Sequence, residues 1–300
     1  MALTSDQIID RRRLRRKLSF WRLAAVVLIL LVVVLAFGRY GSAFMGDHIA
    51  VLDLDGVIYE DPRWDDQLEA IAENDSVKAV LLDINSPGGT TVGSEKLFKG
   101  LRHIAESKPV VAVIGTLGAS GAYIAALGAD HIVAHETSLT GSIGVIMQTA
   151  EVSELLDKIG VSVTNLKSGP YKAEPTETAP MTDEVRAYMQ GLIDQAHQWF
   201  KRLVAERRQL TPEAVNQVAD GRIFTGDQAL DLGLVDEIGG EREALQWLEA
   251  ERGIDPALPQ IDMTPREQLT FIDRTLGSAL GKVLSSERLK LDGLLTLWQP

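Results

Sequence analysis

Through the middle of the chain, apolar runs of strand length alternate with segments of helical spacing. His48 to Ile58 (HIAVLDLDGVI), Val77 to Asn85 (VKAVLLDIN) and Pro109 to Gly115 (PVVAVIG) are rich in β-branched and aliphatic residues and predict three strands. Helices are predicted between them, over Trp64 to Ala72 and Ser94 to Ala105. Strand-helix-strand repetition at this spacing predicts an α/β architecture with a largely parallel sheet. HIVAHE from His131 and VSVTNLKSG from Val161 predict further strands. A long amphipathic helix is expected from Thr182, an N-cap residue, with Val185, Met189, Leu192, Ile193, Ala196, Trp199, Phe200 and Leu203 along one face. Thr211-Pro212 opens another helix that closes near Asp220-Gly221. There is no internal repeat. Beyond about Gly253 the chain becomes Pro-rich and then weakly amphipathic.

The N-terminus follows a different rule. RRRLRRK (Arg11 to Lys17) precedes Leu23 to Gly38, an uncharged run between Arg22 and Arg39. As a helix that run is about 24 Å long, short of a ~30 Å hydrocarbon core unless Phe20, Trp21 and the flanking arginines extend it. The expectation is a basic cytoplasmic tail over 1–19 and a single-pass anchor over 20–40, with positive charge holding the N-terminal side in the cytoplasm. The rival is a cleaved signal peptide, for which Gly41-Ser42-Ala43 offers a small-x-small site. The length of both the basic region and the apolar run favours the anchor.

Composition narrows the partners. Of 30 basic and 42 acidic residues, the first 22 positions hold seven Lys/Arg and two Asp, so the main body is strongly acidic and unsuited to nucleic acid. The chain has no cysteine, which removes disulfides, thiolate nucleophiles and Cys-ligated zinc.

Four segments could carry chemistry, and each has a plain structural reading. NSPGG (Asn85 to Gly89) ends the second strand in a turn with unobstructed amides. GASGA puts Ser120 at a strand-to-helix junction, where most serines are N-caps but where a helix start can also support an anion. LTGSIG (Leu139 to Gly144) is a third Gly/Ser turn, and KSGPYKAE carries Lys172 just past the strand expected from Val161. A serine nucleophile needs a base. The five histidines, His48, His103, His131, His135 and His197, lie outside these turns, so a Ser-His-Asp triad is unsupported. On a strand, His131 and His135 would be ~13 Å apart, too far to share a zinc ion. GASGA is not the G-x-S-x-G elbow of esterases, and GSALGKV (Gly277 to Val283) does not match a phosphate-binding loop. No cofactor and no metal are expected.

Taken together, NSPGG, GASGAYIAA, TGSIGVI and KSGPYK, in that order, resemble the signal peptide peptidase A family of membrane-bound serine proteases. GRIFTGDQALDLGLVDEIGG (Gly221 to Gly240) looks like that family's closing segment, and the likeness spans about Ile49 to Gly240. The resemblance implies a ClpP/crotonase-like fold of stacked β-β-α units, with Ser120 as nucleophile and Lys172 as general base. It implies that Ser142 hydrogen-bonds the lysine, and that an NSPGG amide, at Gly88 or Gly89, joins that of Gly121 in an oxyanion hole. It further implies hydrophobic peptides as substrates, remnant signal peptides foremost, a catalytic domain on the far side of a bacterial inner membrane, and a homo-oligomer. The chain departs from the double-length members in holding one domain, over 46–253, with a C-terminal tail over 254–300.

Such chemistry makes demands on the lysine. A free lysine is neutral only about once in 2,500 molecules at pH 7, and lowering its pKa by ~3 units requires roughly 4 kcal/mol of preference for the neutral amine. Apolar burial supplies that, yet the segment carrying Lys172 is rich in Gly, Pro and charge, which points to cover from a neighbouring subunit. Two rivals remain: a membrane scaffold that keeps the fold without proteolysis, and acyl-CoA chemistry on the same architecture. A scaffold needs neither Ser120 nor Lys172, and acyl-CoA chemistry wants carboxylates at the glycine turns.

Overall fold

The computed structural model describes residues 21–23, 25–29 and 46–266, and the backbone of residues 295–297. The chain divides into two compact units, Met1–Asp47 and His48–Pro300. In the first, residues 21–23 and 25–29 are helical and exposed, and most of the expected tail and anchor lies outside the described residues. Among the described residues no helix is long and apolar enough to cross a membrane.

The second unit is built on one mixed, mostly parallel sheet. In chain order its elements are β1 (His48–Ile58), α1 (Pro62–Glu73), β2 (Val77–Thr90), α2 (Thr91–Ala105), β3 (Val110–Ala119), α3 (Gly121–Ala126), β4 (His131–Ala134) and β5 (Leu139–Gly141). There follow α4 (Ser153–Lys158), α5 (Asp183–Arg208), α6 (Pro212–Val218), β6 (Ile223–Thr225), α7 (Gly226–Asp231), β7 (Glu237–Ile238), α8 (Glu241–Arg252), β8 (Gln260–Asp262) and β9 (Leu295–Leu297). The strands run β6-β5-β3-β2-β1-β8, and β3 changes neighbour along its length. Val111 to Ile114 pair with β4, while Leu117 to Ala119 pair with β5. That switch opens a corner of the sheet at the C-terminal end of β3, where the chain turns into α3.

Two faces bury two different cores. On one, Leu52, Leu82, Ile84, Ala112 and Ile114 pack with α1, α2, α3 and α5 residues such as Leu68, Leu101, Tyr123 and Phe200. On the other, Ile49, Leu81, Val111 and Val133 meet Ala244 and Leu248 of α8, with Leu245, Trp247, Ile254 and Leu258 packed around them. Further along that second face the sheet turns acidic, because the strand register sets Asp53 beside Asp83 and Asp55 beside Asn85. Burial, followed by the charges of Asp53, Asp55 and Glu241, raises the Asp83 carboxyl above its ordinary range.

Several sequence expectations need correction. NSPGG does not end β2 in a turn: the strand runs on to Thr90, resuming its pairing with β1 after a register shift at Asp55 to Val57. The glycines permit this, since a Cβ on Gly89 would lie 1.9 Å from the Ile58 carbonyl oxygen. No strand forms over 161–169; Val161, Val163 and Leu166 are exposed and pair with no ladder. A β-branched run becomes a strand only where another strand offers hydrogen bonds. The long helix is present as α5, N-capped by Thr182, though only Val185, Met189, Phe200, Leu203 and Val204 are buried along it.

Candidate active site

Ser120 stands between the last residue of β3 and the first of α3. Its N–H donates to the Gly141 carbonyl (2.8 Å), and its own carbonyl accepts from the Ile124 N–H (3.0 Å). The backbone is at φ 56°, ψ −116°, and the hydroxyl makes no hydrogen bond to the helix. A capping serine has extended backbone and an oxygen bonded to the N2 or N3 amide; Ser120 has neither. It is 1% exposed. Positive φ at a non-glycine residue costs on the order of 1–3 kcal/mol and persists only where the surroundings over-determine it. Here they do, because all six residues of α3 are buried and the Gly141 bond fixes the turn from the other side.

Ser142 leaves the neighbouring strand at the same level. Ala119 of β3 is in register with Gly141 of β5, so the next residues, Ser120 and Ser142, emerge side by side. Ser142 also has positive φ (50°), donates its N–H to the Arg222 carbonyl (2.8 Å) and is buried. The glycines come to the same edge on the other side, through the register of Ser86 with Gly118. Gly88 (φ 99°) donates its N–H to Ser86 Oγ at 3.1 Å, so an oxyanion would compete with that hydroxyl for the amide. Gly121 opens α3, and its N–H is one of the first-turn amides for which the helix provides no carbonyl. The structure therefore brings Ser120, Ser142, Gly88, Gly89 and Gly121 to one corner.

Lys172 is held differently. It sits in a turn closed by its own N–H on the Gly169 carbonyl (3.2 Å) and by the Glu174 N–H on the Tyr171 carbonyl (3.3 Å). Its side chain is exposed. Among the described residues, no hydrogen bond or ion pair links its amine to Ser120 or Ser142. The other lysine of the segment, Lys167, is ion-paired with Glu174. The four described non-glycine residues with positive φ are Ser120, Ser142, Ala173 and Gln209. Gln209 is the C-cap of α5; the others are the two serines and the residue following Lys172.

Among the described residues no histidine bonds Ser120. His131 is engaged elsewhere, with Nε2 3.1 Å from Glu237 and its ring stacked on Trp247 at 4.7 Å. Among the described residues no group of His or carboxylate side chains is arranged to hold a metal ion. Sequence reasoning missed what grips the far end of α3. Arg207 donates Nε to the Leu127 carbonyl (2.8 Å) and a terminal nitrogen to that of Ala129 (2.9 Å). The Tyr123 hydroxyl donates to the Leu234 carbonyl (2.7 Å), and burial pushes its pKa far up, so it remains a donor. An aromatic inside the apolar run GAYIAA was the available signal for that bond.

Residues 102–255 match the family model described as Peptidase family S49. A relative in Methanocaldococcus jannaschii, "Putative protease MJ0651", is 37% identical over 270 residues, covering 85% of this chain and 86% of the relative. The chain belongs to peptidase family S49. It is accordingly a peptidase of the serine type, and its mixed, parallel-rich α/β fold is consistent with the S49 ClpP-like fold. "Putative signal peptide peptidase SppA" of Enterococcus faecium is 38% identical over 192 residues, 64% of this chain and 56% of the relative. "Protease 4" of Salmonella typhi is 38% identical over 170 residues, 56% of this chain but 27% of that longer protein. The S49 match begins in α2 and thus contains Ser120, Ser142 and Lys172, while Gly88 and Gly89 precede it.

Proposed function

We propose that this S49 peptidase is an endopeptidase in which Ser120 attacks the scissile carbonyl and Lys172 takes the serine proton. The observation that carries the reading is the backbone strain: among the described residues, three of the four non-glycine positions with positive φ are Ser120, Ser142 and the residue after Lys172, the fourth being the C-cap of α5. Such strain is a feature of residues kept for reactivity. Ser120 Oγ is the nucleophile. On attack its proton passes to the Lys172 amine, the carbonyl oxygen becomes an oxyanion facing the Gly121 amide and an NSPGG amide, and the protonated amine then delivers the proton to the leaving nitrogen. Water repeats the sequence on the acyl-serine. Ser142 is the hydrogen-bond partner that orients the lysine.

The peptide docks as an added strand. In support, β9 lies antiparallel on β2 with Leu297, Thr296 and Leu295 opposite Gly88, Gly89 and Thr90, one strand from Ser120. Main-chain pairing of this kind is indifferent to side-chain identity and requires an unfolded segment, which suits hydrophobic peptides such as signal-peptide remnants.

The working unit is a homo-oligomer. Lys172 is exposed, whereas a lysine base must be dry. The same segment presents Leu155, Ile159 and Leu166 to solvent, Leu166 at 96% exposure, and α4 buries no residue. A second copy would cover both. The domain from residue 46 works on the extracytoplasmic side of a bacterial inner membrane, held by the segment over 20–40; the support is the basic N-terminal flank.

The decisive experiment is fluorophosphonate labelling of Ser120 in membranes, with hydrolysis of an apolar peptide measured alongside. Both should vanish in Ser120→Ala, and turnover should vanish in Lys172→Ala and rise with pH in the parent. Near-normal turnover in Lys172→Ala would sink the lysine-base mechanism. Mixing Ser120→Ala with Lys172→Ala chains tests whether the pair is shared between copies: regained activity requires it. Protection of the catalytic domain from protease in intact spheroplasts would reverse the topology.

A further inference from the structure

A single helix contacts the segments that carry both halves of the proposed pair. α5 has 26 residues, about 39 Å of rod at ~1.5 Å per residue, and its C-terminal half is pinned in the main core by Phe200, Leu203 and Val204. At its C-terminal end Arg207 holds the last carbonyls of the segment that begins at Ser120. Its first turns meet the lysine segment. The Tyr171 hydroxyl donates to Glu184 Oε1 at 2.6 Å, and the Tyr171 ring lies 4.9 Å from that of Tyr188, tilted by 38°. Glu184 and Tyr188 are four residues apart and so share one face of the helix. Tyr171 therefore grips α5 by ring and hydroxyl at once.

From this we infer that Tyr171 is a positioning residue for Lys172, anchoring the base to α5 through Glu184 and Tyr188. The inference rests on Lys172 being the base. Tyr171 immediately precedes Lys172, and its carbonyl closes the turn by accepting from the Glu174 N–H. Within that turn the amine's starting point is set by two constraints. One is the left-handed backbone at Ala173; the other is the side-chain anchor at Tyr171, the residue on the opposite flank. The Lys167–Glu174 ion pair ties the ends of the same turn but reaches no other element. Without Tyr171, then, the turn keeps its internal bonds and loses its ring and hydroxyl anchor to α5. A base displaced by an ångström loses much of its rate while the enzyme still folds and still binds peptide. This holds whether Lys172 serves the serine of its own chain or that of a second copy, because α5 references the lysine segment to the folded core in either case.

The test uses the full chain in detergent, with kcat, KM and melting temperature for each variant. Tyr171→Ala should lower kcat by about 10–100-fold, and Tyr171→Phe, which keeps the ring and loses the hydroxyl bond, by about 3–10-fold. KM and melting temperature should stay within about twofold and about 2 °C of the parent. Glu184→Ala, which removes the acceptor of the Tyr171 hydroxyl, should match Tyr171→Phe, and the two combined should cost no more than either alone, since both remove one bond. A Tyr171→Ala enzyme with parental kcat, or one whose loss follows a fall in melting temperature, overturns the positioning role. Lys172→Ala distinguishes the two failures: if it is inactive while Tyr171→Ala is normal, only the anchor is wrong, and if it is active, the base assignment itself has failed.

Discussion

The serine corner and the lysine segment are both strained, yet they are supported in opposite ways. Around Ser120 every residue of α3 is buried, the strand partner Gly141 fixes the turn, and Arg207 and Tyr123 hold the helix from behind. Around Lys172 the chain from Val145 to Met181 contains one short helix with no buried residue, and the turn relies on its own hydrogen bonds and on Tyr171. A nucleophile needs a fixed approach, which a single domain can build from its own core. A lysine base needs a dry surrounding, which this segment does not build for itself. The difference teaches that the chain's own core supports one half of the proposed pair, while the other half is carried on an exposed segment.

The sharpest way to break the comparison is to remove each group in turn. Ser120→Gly and Lys172→Ala should both lower turnover on the order of 10³-fold or more. Their stabilities should diverge. Glycine relieves the positive φ at 120, so Ser120→Gly should raise the melting temperature by about 2–4 °C, whereas Lys172→Ala should leave it within about 1 °C. Calorimetry that finds the reverse order would mean that Ser120 is not strained.

A smaller effect probes the support behind each group. Arg207→Met leaves the carbonyls of Leu127 and Ala129 without their donor and should cost about 2 kcal/mol, a fall of about 4–8 °C. It should also slow fluorophosphonate labelling. Glu174→Gln, which weakens the ion pair of the lysine segment, should change the melting temperature by about 1 °C or less. Equal losses in the two variants would erase the distinction between a core-supported and a surface-supported half.

The smallest effect lies away from both, on the acidic face of the sheet, and serves as a control. The Asp83 carboxyl binds its proton more tightly in the folded chain than in the unfolded one, so its ionisation at neutral pH opposes folding. Asp83→Asn should therefore be more stable than the parent by about 1–2 °C at pH 7, and the gain should shrink as pH falls through the raised pKa towards the ordinary value. Peptidase activity should not change. A gain that instead grew on acidification would contradict the assigned cause.

Periodicity and turn chemistry were enough to read β1, β2, β3, α5 and α6 from the chain, because their apolar spacing and their caps are local. The expected strand from Val161 failed for the same reason in reverse: its alternation is real, but no neighbouring strand offers it a ladder. NSPGG read as a turn because two glycines and a proline usually make one. Only the packing of β2 against the Ile58 carbonyl shows those glycines serving close approach within a continuing strand.

For the site the division is similar. The identity of Ser120, Ser142 and Lys172 as candidates lay in the sequence, since hydroxyl and amine among Gly-rich turns are a matter of residue type and order. Their family followed from the same local words. Whether Ser120 is a cap or a reactive residue did not lie there, because both readings require a serine at a strand-to-helix junction. What argues against a cap is φ 56° and a hydroxyl that makes no bond to the helix, which arise from the register of β3 with β5 and the burial of α3. The grip of Arg207 on α3, 78 residues away in the chain at Ala129, and of Tyr171 on α5 were likewise invisible, because hydrogen bonds between distant segments leave no periodic trace. Local spacing determines which elements form and which chemical groups they carry; only the closing of the sheet and the docking of α5 decides which of those groups are strained, buried or held together.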